Sequence, residues 1–212
     1  MNPLVSLLIS ILALAISGFT FYFKFLRGPK LIISTAEKIG LWHGHGEFLM
    51  DIPITITNEG ARAGYIYQMG LIIQNYHNVE ERFFLKWDMF LKFNFSKNSW
   101  DPDEIASLIS APEKTTIFKY VKFRSDDSMK NWLPAPGKYV VYVLGWSRKG
   151  DIPNLFDKFE LNTDDQMRNN LRQNMEADNF VTTYYSRNDW GKWTSKRLSS
   201  VEFKNLTKYL RQ

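Results

Sequence analysis

Hydrophobic patterning divides the chain into three stretches. The first is Leu4 to Phe23 (LVSLLISILALAISGFTFYF), twenty residues without one charge. At about 1.5 Å per residue this run predicts a helix of roughly 30 Å, the thickness of a bilayer's hydrocarbon core. Lys24, Arg27 and Lys30 follow at once, and Gly28-Pro29 breaks the helix. A cleaved leader is the competing reading, with Leu4–Leu12 as its apolar segment and Ala13-Leu14-Ala15 as its cleavage site. No Lys or Arg precedes the run, and the run continues past those alanines into a basic stop, so an uncleaved anchor is expected. The basic flank lies only on the C-terminal side, which predicts an N-terminus outside and a cytoplasmic body.

The second stretch changes period from helix to strand. Between Phe48 and Thr57 the residues Phe48, Met50, Ile52, Ile54 and Ile56 alternate with Asp51, Pro53, Thr55 and Thr57, the pattern of a half-buried strand. Pro53 predicts an edge or a bulge. Further strands are predicted at Leu31–Thr35, around Tyr67, Met69, Leu71 and Ile73, at Phe83–Phe95, at Thr115–Arg124, at Lys138–Trp146 and at Leu155–Leu161. In Phe83–Phe95 the alternation assigns Phe83, Leu85, Trp87, Met89, Leu91, Phe93 and Phe95 to a buried face and Lys86, Asp88, Lys92 and Asn94 to water. Lys138–Trp146 is apolar on both faces and belongs in the centre. Seven strands over residues 31–161, separated by turn residues, predict a mainly β domain arranged as an antiparallel sandwich.

Two segments, Ile54–Ile66 (ITITNEGARAGYI) and Pro134–Trp146 (PAPGKYVVYVLGW), resemble immunoglobulin-like sandwiches of the fibronectin type III kind. Gly137-x-Tyr139 before a central strand is similar to the tyrosine corner of that superfamily. The paired cysteines of antibody domains are absent. The resemblance implies a fold and no activity.

The third stretch, residues 162–212, reads as an appendage of helix, hairpin and helix. Thr163-Asp164-Asp165-Gln166 is a capping box before Met167, Leu171 and Met175, which share one helical face. Phe180–Ser186 and Lys192–Leu198 flank a five-residue loop and predict a hairpin. Ser199-Ser200-Val201-Glu202 opens a last helix with Phe203, Leu206 and Leu210 on one face.

Composition sharpens this division. The 212 residues hold 27 basic and 22 acidic side chains, a net charge of +5 that by itself suggests nucleic acid or anionic lipid. Three of the cations lie in the first thirty residues, which hold no acid, so residues 31–212 carry 24 basic against 22 acidic groups. The basic excess belongs largely to the helix flank, and nucleic-acid binding loses its main support. With no cysteine, disulfide staples, thiolate metal sites and a cysteine nucleophile are all excluded.

Candidate chemistry is sparse. His43, His45 and Glu47 share a face in an extended chain and form a weak His₂Glu metal candidate. Their interleaved glycines favour a polar hairpin tip instead. Acidic pairs such as Asp101/Asp103, Asp126/Asp127 and Asp164/Asp165 sit in turn and cap contexts, where carboxylates serve structure. No nucleophile elbow, P-loop, dinucleotide fingerprint or zinc-protease motif occurs, so neither an enzyme nor a cofactor is expected. Tyr185, Arg187, Trp190 and Trp193 form a candidate recognition surface, aromatic rings among cations on the predicted C-terminal hairpin. The sequence therefore predicts a single-pass protein held in a bilayer through Leu4–Phe23 and presenting a module to a protein partner. A metal-dependent enzyme at His43/His45/Glu47 and a lipid-binding hairpin at Trp190/Trp193 are the alternatives.

Overall fold

In the computed structural model, residues 3–96, 99–126, 129, 131–150, 152–177, 182–186 and 200–210 are described. Helix α1 spans Pro3–Phe21 and passes into one π-helical turn, Tyr22–Leu26, closed by Arg27 N–H on the Tyr22 carbonyl (2.9 Å). Pro3–Leu26 is long and apolar enough to cross a membrane, and none of it is buried against the rest of the chain. Ser10 and Thr20 return their hydroxyls to the carbonyls of Ser6 and Ile16 (3.0 and 2.8 Å), so neither needs water or a neighbouring helix.

The remainder is mainly β. The strands are β1 (Leu31–Thr35), β2 (Lys38–Gly44), β3 (Glu47–Asn58), β4 (Gly64–Ile66), β5 (Gln68–Asn75), β6 (Arg82–Asn94), β7 (Ser99–Ile105), β8 (Ile109–Ala111), β9 (Thr116–Ser125), β10 (Gly137–Trp146), β11 (Leu155–Thr163) and β12 (Thr183–Ser186). Among the described residues, one antiparallel ten-stranded sheet runs β11-β10-β5-β6-β9-β3-β2-β12, with β1 also on β3 and β7 also on β6. β4 and β8 form a separate pair. The large sheet curls until β1 lies against β11, where Thr35 donates both its N–H (2.7 Å) and its hydroxyl (2.8 Å) to Asp157. The architecture is thus a near-barrel; the two separate layers of a plain sandwich are not distinct in it. Its interior holds the inward residues of β3, β5, β9, β10 and β11, among them Ile52, Ile54, Leu71, Val121, Val141 and Phe159.

The turn residues of β2–β3 are His45 (φ 52°) and Gly46 (φ 80°), between paired Gly44 and Glu47. Two successive positive φ values are what a two-residue hairpin requires. The polar tip expected over Trp42–Glu47 is therefore confined to two residues, and Trp42 and His43 are buried strand residues. Pro53 lies in the interior of the sheet, not at its edge. Its carbonyl accepts from Ala36 N–H (3.0 Å), so its missing donor faces the break between β1 and β2, where no ladder partner is deprived.

β6 departs from strict alternation. Its register against β9 slips between Trp87 and Met89, placing an extra residue, Asp88, in the strand. Leu85 faces the interior before the bulge and Phe90 after it, while Phe93 and Phe95 turn to the outer face. The uniform buried face expected for Phe83–Phe95 is corrected accordingly.

Helix α2 (Asp165–Ala177) packs on β2 and sends Met167 and Leu171 into the interior. Its cap is Asp164, whose carboxylate accepts from Met167 N–H (2.7 Å). Thr163, the expected cap, gives its hydroxyl to the Ala135 and Gly137 carbonyls instead. Helix α3 (Ser200–Tyr209) covers the other face of β5 and β10, where Leu206 meets Ile72, Tyr142 and Leu144. β12 joins the main sheet on β2. The return strand expected at Lys192–Leu198 lies outside the described residues.

Candidate functional site

The apolar helix is joined to the sheet by four residues, 27–30, and these are held in place. Asn58, at the end of β3, accepts from Lys30 N–H (3.2 Å) and Gly60 N–H (2.9 Å). Its amide donates to the carbonyls of Arg62 (2.8 Å), Ala111 (3.0 Å) and Pro112 (3.0 Å). One buried side chain therefore ties the linker, the β3–β4 loop and the β8–β9 loop together. Glu59 N–H adds a bond to the Lys30 carbonyl (2.9 Å), and its carboxylate pairs with the Lys30 ammonium (2.5 Å), an exposed contact of small energy. Arg62 Nε donates to the Phe25 carbonyl (2.8 Å), one of the orphan acceptors at the helix end. Gly60 permits the approach: a Cβ there would stand 2.5 Å from the Gly28 carbonyl oxygen and 2.6 Å from Lys30 N. Of the three flank cations, Lys24 and Arg27 instead lie over Phe25 and Phe23 (5.5 and 5.9 Å).

A second feature grows from the Asp88 bulge. On the outer face, Tyr120 of β9 stacks on Trp100 of β7 at 3.9 Å. Trp100 meets Phe93 of β6 at 5.1 Å, and Phe93 meets Phe95 at 5.0 Å. Exposure climbs along this ladder from 6% at Tyr120 to 88% at Phe95, near the tip of the β6–β7 hairpin.

A polar cluster occupies the outer face further along. Asp51 is buried, and that burial pushes its carboxyl up to about 7; Lys122 and the Trp42 indole oppose the rise and Asp88 adds to it. Lys122 also lies over the Trp42 ring (4.4 Å). Arg124 bonds Asp88 (2.9 Å) and lies 3.5 Å from Glu47.

The metal candidates do not converge. His43 pairs with Phe48 and faces the interior, His45 sits in the turn, and Glu47 lies on the opposite face beside Arg124. Burial lowers the His43 pKa, and neither ring nitrogen has a hydrogen-bond partner among the described residues. No group of three metal-ligating side chains occurs among the described residues. Of the proposed recognition surface, Tyr185 on β12 packs half-buried against the interior, and burial raises its pKa. Arg187, Trp190 and Trp193 lie outside the described residues. Sequence reasoning missed Asn58 and the ladder; an Asn two residues before Gly at a strand end was the available sign of the first.

No protein-family model matches the chain, and no curated protein matches it. Among solved structures, a protein described as ApaA from Bordetella pertussis aligns over 66% of this chain and 98% of its own, at 12% identity and a TM-score of 0.34. A likeness of that size carries no argument here.

Proposed function

We propose that the chain is a single-pass membrane protein whose β domain is a protein-interaction module held at a fixed attitude to the bilayer. The observation that carries this reading is the pairing of an apolar helix with no buried residue and a four-residue exit pinned by Asn58, Glu59 and Arg62. A tether serving only to localise a domain needs no such attachment; one that orients a surface does. The basic flank of Lys24, Arg27 and Lys30 on the C-terminal side of the helix supports, in this reading, an N-terminus outside and a cytoplasmic domain. The immunoglobulin-like reading of the domain is supported at Tyr139, whose hydroxyl accepts from Ala135 N–H (3.1 Å) four residues upstream, as in a tyrosine corner. The chain acts by binding and carries no catalytic centre in this reading.

Two measurements test it. In this cysteine-free chain, Lys149→Cys reacts with an impermeant maleimide only after the membrane is opened; labelling of intact cells reverses the sidedness. Purification in mild detergent yields a stoichiometric protein partner, and repeated recovery of the chain alone contradicts the interaction role.

A further inference from the structure

We propose that the tip of the β6–β7 hairpin is a second membrane contact, a monotopic foot whose Phe95 and Phe93 rest in the headgroup region of the bilayer that α1 spans. This rests on the anchor reading above and adds a lipid-binding surface to it.

Register carries the placement. Tyr120 pairs with Pro53 of β3 on one side and with Leu91 of β6 on the other. The β6–β9 pairing ends at Leu91, and Phe93 and Phe95 continue beyond it in the direction in which β9 runs back toward Thr116. Thr116 pairs with Thr57, and Thr57 with Ile32, the second residue of β1. The hairpin tip thus lies at the sheet end from which the helix leaves, three strands from β1, or about 14 Å at the usual strand spacing. Because residues 27–30 are pinned to the β3–β4 loop, that end of the domain cannot swing freely from the bilayer surface.

The chemistry fits a lipid interface. Phe95 is 88% exposed with its ring against Phe93, and Phe118 of β9 is 58% exposed; exposed rings gathered at one end of a sheet fit a surface that is covered. Trp100 and Tyr120 lie behind them, each with a polar handle, in an order of increasing depth into the sheet. Aromatic residues of this kind settle at the boundary between headgroups and acyl chains. Asp101 and Asp103 on β7 argue against attraction to anionic headgroups, so the contact is apolar and needs no acidic lipid.

The test uses the full chain in phosphatidylcholine vesicles, with single cysteines carrying an environment-sensitive dye. Ser96→Cys reports the tip with Phe95 intact, Val79→Cys the far end of the sheet, and Leu12→Cys the centre of α1. Quenchers attached to the lipid acyl chains are compared with aqueous iodide. The foot predicts lipid quenching and a blue-shifted emission at Ser96→Cys, neither at Val79→Cys, and loss of both when Phe95→Ser is added. Iodide quenching at Ser96→Cys equal to that at Val79→Cys, with Leu12→Cys still quenched from the lipid, overturns the foot alone. Aqueous quenching at Leu12→Cys overturns the anchor as well. Shielding of Ser96→Cys from both quenchers identifies a protein contact and rejects the lipid assignment.

Discussion

Asp157 accepts both the backbone N–H and the hydroxyl of Thr35, a residue 122 positions earlier, with both residues buried. This pair sits where β11 meets β1 and holds the curled sheet together without a ladder of its own. Loss of the carboxylate removes both bonds that it accepts from the buried Thr35, a costly kind of hydrogen-bond deletion. Asp157→Ala is therefore expected to destabilise the domain by about 2–4 kcal/mol. Urea denaturation followed by tryptophan fluorescence measures this. A midpoint within error of the unaltered protein would show that the seam is held elsewhere.

His43 gives a prediction of opposite sign. A fully buried imidazole with no hydrogen-bond partner among the described residues costs free energy that leucine, similar in bulk, does not. His43→Leu is expected to raise stability by about 1–2 kcal/mol at pH 7. Burial lowers the His43 pKa, so protonation of the unfolded chain weakens the fold as pH drops below 6.5, and the variant loses that sensitivity. Bound zinc in the unaltered protein, lost in His43→Leu together with stability, would instead make His43 a ligand.

Asp51 titrates the other way. Its folded pKa of about 7 stands above the ordinary 3.8, so the folded state holds a proton that the unfolded state releases. Stability from this group is complete below pH 3.8 and is lost as pH rises through 7, by at most about 4 kcal/mol. Asp51→Asn removes the loss and is expected to be the more stable protein at pH 8, with little difference at pH 4. Parallel stability curves for the two proteins across that range would place the proton elsewhere.

Asn58 tests the pinned linker. Asn58→Ala removes an acceptor for Lys30 and Gly60 and a donor to three carbonyls, at an expected cost of about 2–4 kcal/mol. Limited trypsin digestion in detergent should then cut at Arg27 and Lys30, bonds that resist in the unaltered chain. Asn58→Asp keeps the acceptor, loses the donors and should fall between the two. Equal cleavage in all three proteins would mean that the linker is not fastened through this residue.

The legible parts of this fold are those where local pattern and tertiary role agree. Ile52, Ile54 and Ile56 alternate inward as their spacing implies, and the apolar faces of β10 meet the interior on one side and Leu206 on the other. β2 escaped notice because its two glycines, Gly40 and Gly44, break the alternation, and β7 because Asp101-Pro102-Asp103-Glu104 reads as a turn. The ladder was hidden by one residue. Asp88 shifts the period of β6, and after a shift of one every side chain changes face. Asp51 looked like a solvent residue because alternation reports which face a side chain takes and not whether that face is covered. The role of Asn58 depends on loops that are distant in sequence, so nothing local to it announces that role.

The membrane attachment underlies everything proposed here and has a direct test. Membranes from cells expressing the chain are washed at high pH, which strips peripheral proteins, and the retained material is weighed by intact mass spectrometry. The protein is expected to stay in the pellet with a mass that includes Leu4–Phe23, and Leu12→Arg to shift it toward the supernatant. Release of the unaltered protein into the wash, or a mature chain beginning after Ala15, would contradict the attachment.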